Sequence, residues 1–351
     1  MKAILGKYLF PLLMASLILT GCAENIQGQP ADMKKRIDEE LGAIERITVL
    51  STDGVEVPLE LTAFLKELPE QGKDLQKSDQ PLAQDDIRYT LVLYRAKLAP
   101  LVVEIGEQAS QFGGDTYRGQ GAVRFYQWIH RLAGAGLLSG SYRSVVLTAV
   151  DLNQTITLDK EQTAVFQEAF LAAEPLMEKN WQQYPLYPYY QMRVDTGERM
   201  LEATLLTPTL IAIPFGRETQ YYRVPGALFS NFTQWMPPRK MTDRAFQQLF
   251  QASAIRLIGT GDQQQGAIEQ KPTETTVEQG MAHQSVRLLQ NSIELDQEPK
   301  NPGQEKYQLS FAVGDALHTV YLYDRHFRYQ GKWFAQDQLE EKILRLLGTK
   351  K

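Results

Sequence analysis

The sequence predicts an α+β protein of three tandem domains. Each domain has about 100 residues and runs strand, helix, β-hairpin, helix around a small antiparallel sheet. Three observations carry this. An aromatic-Arg-x-x-Gly pentad occurs at Tyr117-Arg118-Gly119-Gln120-Gly121, Tyr222-Arg223-Val224-Pro225-Gly226 and Phe327-Arg328-Tyr329-Gln330-Gly331, at a constant step of 105 residues. A strand opening on tyrosine precedes each pentad: YTLVLY from Tyr89, YQMRV from Tyr190 and YQLSF from Tyr307. The order of apolar and polar stretches around these marks is the same three times. So long a period points to separate or packed domains rather than a continuous superhelix.

The domains span residues 45–140, 141–251 and 252–351. Each opens with an apolar strand: RITVLS from Arg46, SVVLTAV from Ser144, AIRLIG from Ala254. A helix follows. In the first copy it starts near Thr62 and buries Phe64, Leu65 and Leu68. In the second, Asp159 and Gln162 fit a capping box, with Val165, Phe166, Ala169 and Phe170 as the apolar stripe. Val286, Leu289 and Ile293 form the stripe in the third. The Tyr-led strands then return through PLVVEI, TLIAIPF and HTVYLY, with Thr207-Pro208 and Gly314-Asp315 as turns. Closing helices follow the pentads. Phe125, Trp128, Ile129 and Leu132, and Leu339, Ile343, Leu346 and Leu347, keep helical spacing. The second copy is less regular, with Leu228, Phe232 and Trp235 before Pro237-Pro238 and a further helix near Asp243 to Gln251.

The pentad admits two readings. Arg118, Arg223 and Arg328 beside an aromatic ring could each clamp a carboxylate or phosphate, giving three equivalent sites for a repeating polymer. Alternatively, Tyr117, Tyr222 and Phe327 end a strand and pack inward, and the arginine stems cover apolar surface. On that reading Gly121, Gly226 and Gly331 take a positive φ that turns strand into helix. Pro225 in place of Gln120 and Gln330 shows that the fourth position needs no particular side chain, which favours the structural assignment.

The stretch NWQQYPLYPYYQ is the best candidate for ligand binding. Trp181, Tyr184, Tyr187 and Tyr189 are interleaved with Gln and Asn, as suits stacking on sugars or gripping an extended peptide. The competing reading is that these rings seal a domain interface. The four histidines form no HxH, HxxxH or HExxH spacing, and there is no P-loop or G-x-S-x-G, so neither a catalytic residue nor a cofactor or metal is expected.

The N-terminus is the most specific signal. Lys2 and Lys7 precede an apolar run from Tyr8 to Leu19, too short for the ~20 residues that span a bilayer. Leu19-Thr20-Gly21-Cys22 resembles the lipobox of a bacterial lipoprotein, and the body resembles envelope lipoproteins built of repeated small α+β domains. The resemblance implies a signal peptide over residues 1–21 and lipidation at Cys22. Residues 22–44 would then be a tether and a short helix, with Met33, Ile37, Leu41 and Ile44 on one face. Cys22 is the only cysteine, so disulfides, Cys-ligated zinc and a Cys nucleophile are excluded from the mature chain. Two or more acyl chains would anchor it stably to the extracytoplasmic side of a membrane, either the outer face of the plasma membrane or an outer membrane. Loss of Lys2 and Lys7 moves the formal charge from −5 to about −7, which argues against nucleic-acid binding by bulk charge. The expected function is a non-enzymatic binding or scaffold module for an envelope protein or glycan. The alternatives are a wall- or peptide-directed hydrolase with a dispersed site, or a structural spacer or chaperone.

Overall fold

The first strand of the computed structural model, which describes residues 44–177, 183–237, 246–259 and 276–348, is buried through its middle, from Ile47 to Val49. In β1 (Ile44–Ser51) the Ile47 and Val49 side chains are fully buried on one face. A tight turn returns the chain as β2 (Glu56–Leu59). Then come α1 (Leu61–Gln71), β3 (Gln76–Ser78), β4 (Ile87–Arg95), β5 (Leu98–Gly106), β6 (Ala109–Phe112), β7 (Asp115–Arg118) and α2 (Gln120–Leu137). The seven strands form one sheet in the order β2-β1-β4-β5-β6-β7-β3. The connection through α1 thus places β3 at the far edge, and β4 returns beside β1.

The second unit repeats the pattern. It contains β8 (Ser144–Ala149), β9 (Gln154–Thr157), α3 (Lys160–Leu171), β10 (Glu174–Leu176), β11 (Tyr190–Asp195), β12 (Met200–Thr207), β13 (Leu210–Phe215), β14 (Glu218–Arg223) and α4 (Ala227–Trp235). Its sheet order, β9-β8-β11-β12-β13-β14-β10, matches the first position by position. The third unit has β15 (Ala254–Gly259), α5 (Thr276–Gln290), β16 (Ile293–Leu295), β17 (Tyr307–Val313), β18 (Ala316–Leu322), β19 (His326–Tyr329), β20 (Lys332–Ala335) and α6 (Leu339–Leu346). Its sheet is β15-β17-β18-β19-β20-β16.

This corrects the expected fold class. The protein is mostly antiparallel β, with three sheets of six or seven strands rather than small α+β domains with a single hairpin each. The hairpin of each unit is extended to a four-stranded meander, and edge strands are added on both flanks in the first two. The unexpected short strands β2, β3, β6, β9, β10, β16 and β20 are only three or four residues long, below the length at which alternation is readable. β12 was also overlooked: Met200–Thr207, not TLIAIPF, is the return strand paired with β11. Ile44 begins β1 rather than ending a helix, and Ile293, 71% exposed, lies in β16 beyond α5.

The capping box is present, with the Asp159 carboxylate accepting from the Gln162 N–H at 2.9 Å and the Gln162 side chain accepting from the Asp159 N–H at 3.1 Å. Phe166 and Phe170, one turn apart on α3, pack with tilted rings at a centroid distance of 4.1 Å, while Val165 is turned outward. The first two units share one continuous core, and the third has its own. α2 explains the sharing. Phe125, Trp128 and Ile129 face the first sheet, with Trp128 4.7 Å from Phe64, while Gly134 lies against Gln220 and Pro175 of the second unit. Among the described residues no helix is long and apolar enough to cross a membrane.

Candidate functional site

The α2 helix also builds one wall of a cleft of about 300 Å³ between the first and second units. Val123, Tyr126, Gln127 and His130 lie at i, i+3, i+4 and i+7, so successive turns present them to the same side. The two-residue turn between β5 and β6 supplies Glu107 and Gln108. Leu176 and Met177 come from the end of β10, and Glu218, Thr219 and Tyr221 from β14.

A polar network fixes the floor. The Arg88 Nε lies 2.8 Å from Glu218 Oε1 and 3.5 Å from Glu107 Oε1, and its Nη1 donates to the Asp85 carbonyl at 2.8 Å. One guanidinium therefore sits between two carboxylates. The Tyr126 hydroxyl donates to Glu218 Oε2 at 3.1 Å. Beneath it, the Tyr89 hydroxyl and His130 Nδ1 are 2.6 Å apart, and the Gln220 Nε2 reaches the Tyr89 hydroxyl at 3.1 Å and the His130 carbonyl at 3.3 Å. Gln220 Nε2 also lies 3.2 Å from His130 Nδ1, so an Nδ1 that accepts suits both the Tyr89 hydroxyl and the Gln220 amide. Burial, and then the nearby Glu218 carboxylate among other charges, pushes the Tyr126 phenol above the usual tyrosine range; burial does the same to Tyr89. Both rings stay neutral hydrogen-bonding groups at any physiological pH.

The aromatic stretch lies elsewhere, at the junction of the second and third units. The Tyr187 ring stacks on Phe250 at 4.4 Å, its N–H donates to His283 Nδ1 at 2.8 Å and its hydroxyl accepts from Gln247 at 2.6 Å. Tyr189 donates its N–H to Asp151, and its ring lies 5.3 Å from the Arg287 guanidinium. Tyr184 is half-buried, and Trp181 and Cys22 fall outside the described residues. The structure thus places Tyr187 and Tyr189 in the contact between units.

The pentads do not converge on a site. Tyr117 and Tyr222 end β7 and β14, the same place in two units, and Tyr222 donates to the Gly134 carbonyl at 2.9 Å. The third pentad is displaced by one strand: Phe327 lies in β19, and Gln330 and Gly331 form the β19–β20 turn. Arg118 donates to the Pro81 carbonyl, Arg223 is exposed 3.8 Å from Glu174, and Arg328 lies over the rings of Tyr321 and Trp333. Only Gly331 of the three closing glycines has a positive φ, +79°; the turn into α2 is made by Gly119 at +87°, and Gly226 sits at −61°.

Sequence reasoning missed Glu107, Tyr126, Glu218 and Tyr221. They come from a turn, a helix and a strand more than 100 residues apart at the extremes, and only the tertiary fold joins them. His130 offered a faint signal, as a polar residue beside Ile129 on the apolar face of α2. Among the described residues no group of three or more His, Cys, Asp and Glu side chains is placed to hold a metal ion. No family model matches the chain, and neither a curated protein nor a solved structure is found to be similar to it.

Proposed function

We propose that the chain is a lipid-anchored extracytoplasmic lipoprotein that acts as a non-enzymatic binding module, with the cleft between its first two units as the ligand site. The single observation behind the binding reading is the cleft itself, a concave space with apolar and polar walls held by a bonded framework. Glu218 is engaged by Arg88 and Tyr126, and His130 Nδ1 by Tyr89. Such groups hold a shape rather than stand ready to move a proton. The lipobox Leu19-Thr20-Gly21-Cys22 supports the anchoring.

The convergence of Glu107, Glu218 and His130 in one cleft favours a second reading, a hydrolase. One experiment addresses both. A soluble Cys22→Ser chain is screened by thermal shift against envelope-derived muropeptides, glycans and small amines, beside a Gln127→Trp variant that fills the cleft from an exposed position. Binding without turnover, lost in Gln127→Trp, is expected; turnover lost in Gln127→Trp would establish the hydrolase. No Gln127-sensitive ligand would sink the cleft. For the anchor, Cys22→Ser is expected to abolish palmitate labelling and release the protein from membranes; unchanged membrane association refutes lipidation.

A further inference from the structure

We propose that the β4–β5 end of the first sheet rests on the lipid surface that carries the anchor, with Leu98 to Val102 as the inserted segment. The inference rests on the anchoring reading above and adds a second point of attachment. β5 opens on Leu98-Ala99-Pro100-Leu101-Val102, five apolar residues in succession. Four of them are exposed, Leu98 to 51% and Val102 to 48%, and Leu101 is half-buried. A strand with one solvated face sets polar side chains toward water, so such a run marks a surface for an apolar partner. The corresponding strands of the other units lack it. β12 exposes Met200 and Glu202, and β18 exposes Ala316 and Leu317. Among the described residues, Leu98 and Val102 are the only two large exposed apolar side chains that share a strand.

Position selects a bilayer as the occupant. Ile44 of β1 pairs with Arg95 of β4, and Arg95 pairs with Leu98 of β5, so the three form one row across the sheet. The chain running from Cys22 thus enters the body, after 21 intervening residues, in the row that holds Leu98. An acylated Cys22 keeps the bilayer tethered to that end, which makes lipid contact an intramolecular event that no free partner can match in effective concentration. The side chains suit a lipid–water boundary. Lys97, exposed at the turn, can lay its stem along the acyl region and keep its ammonium among the headgroups. Tyr94 lies at the same end, its ring 3.9 Å from the guanidinium of Arg46, which is itself paired with Glu56. A tyrosine joins an apolar ring to a polar tip and so favours the interface. The acyl chains hold the molecule, and the hairpin fixes which end of the first sheet faces the lipid.

The test places an environment-sensitive fluorophore on the acylated full-length protein in vesicles of phosphatidylcholine and phosphatidylglycerol. Cys22 is the only cysteine and is blocked once acylated, so Leu98→Cys offers a single reactive thiol. Val102→Cys is a second labelling site should Leu98→Cys misfold. Ile293→Cys, at a position 71% exposed on another sheet, is the reference. Quenching by acyl-chain spin-labelled lipid is expected to be at least about threefold stronger at positions 98 and 102 than at 293, as for side chains about 5–10 Å into the headgroup boundary. Adding Leu98→Glu to the labelled Val102→Cys protein should bring its quenching down to the reference value. Equal quenching at all three positions, or none, overturns the lipid contact. A blue shift at position 98 that needs no vesicles and grows with protein concentration assigns the surface to a second copy and overturns it too. Failure of the anchor is read separately, by absent palmitate labelling. In that case Cys22→Ser carrying the same labels is mixed with the vesicles; quenching at 98 above that at 293 keeps the lipid contact without the anchor, and equal quenching removes both.

Discussion

Arg287 of α5 and Asp151, just beyond β8, are 136 residues apart in the chain and form a two-pronged ion pair, Nε to Oδ1 at 2.8 Å and Nη2 to Oδ2 at 2.9 Å. The Asp151 side chain is 2% exposed and that of Arg287 12%. The remaining donors are used as well: Nη1 donates to the Pro185 carbonyl at 2.8 Å, and Asp151 accepts the Tyr189 N–H. Because the third unit has a separate core, this pair sits where that unit is joined to the second.

Asp151→Ala should therefore be among the most destabilising single changes in the molecule. Removing one partner strands a buried guanidinium, a loss of about 3–5 kcal/mol, whereas replacing both partners by apolar groups is far milder. Urea unfolding followed by fluorescence should show the third unit melting in its own earlier transition in Asp151→Ala. Asp151→Leu combined with Arg287→Met should recover much of the loss. A single unshifted transition for Asp151→Ala would show that the junction is held by the aromatic contacts alone.

His283 at the same junction predicts an acid sensitivity. Burial, reinforced by the Arg287 charge, lowers its pKa to about 4, and its Nδ1 accepts the Tyr187 N–H. In the unfolded chain the imidazole titrates near 6.5. Between these values the unfolded state binds a proton that the folded state refuses. Stability from this group is thus complete above about pH 6.5 and falls as the pH drops toward 4, by about 3 kcal/mol in all. His283→Gln, whose amide oxygen can still accept, should flatten the dependence in that window. Equal slopes in both proteins would remove His283 as its origin.

How much of this could be read from the sequence follows from the range of each signal. The Asp159–Gln162 capping box and the Phe166–Phe170 stripe are local, and the structure contains both. The widths of the sheets were hidden because β6, β7 and β20 are four residues long and owe their strand character to neighbours. The even 105-residue step misled for a different reason. Similar residues fall at Tyr222 and Phe327, yet one ends the strand before a helix and the other begins a hairpin. The cleft was illegible because Glu107 and Glu218, far apart in the chain, are brought to the one guanidinium of Arg88 by the tertiary fold.

Gln220 carries a prediction about the first junction. It is fully buried, and its amide nitrogen reaches the Tyr89 hydroxyl and the His130 carbonyl across units. Gln220→Leu keeps the volume approximately but strips these acceptors of their donor, at a cost of about 1–3 kcal/mol. Tyr222→Phe loses only one hydrogen bond, to the Gly134 carbonyl, and should lose about 1 kcal/mol. Chemical denaturation ranks the two; a larger effect for Tyr222→Phe would contradict the assignment of Gln220 as the bridging group.

The three glycines that close the pentads give a graded test, because alanine meets a different obstacle at each. At Gly121 a Cβ would stand 2.5 Å from the Lys73 carbonyl oxygen and 2.6 Å from the Leu75 nitrogen. Both are backbone atoms of the segment before β3, so α2 would have to shift, and Gly121→Ala should cost about 2 kcal/mol or more. At Gly331 there is open space but φ is +79°, so alanine meets only backbone strain of about 1–2 kcal/mol. At Gly226 φ is −61° and the nearest atom, a Thr209 methyl, lies at 3.7 Å. Gly226→Ala should therefore change stability by less than about 0.5 kcal/mol, or raise it by stiffening the unfolded chain. Melting temperatures should fall in the order Gly226→Ala, Gly331→Ala, Gly121→Ala. Equal losses at all three would mean that the pentad plays one common structural role after all, which the displaced third copy argues against.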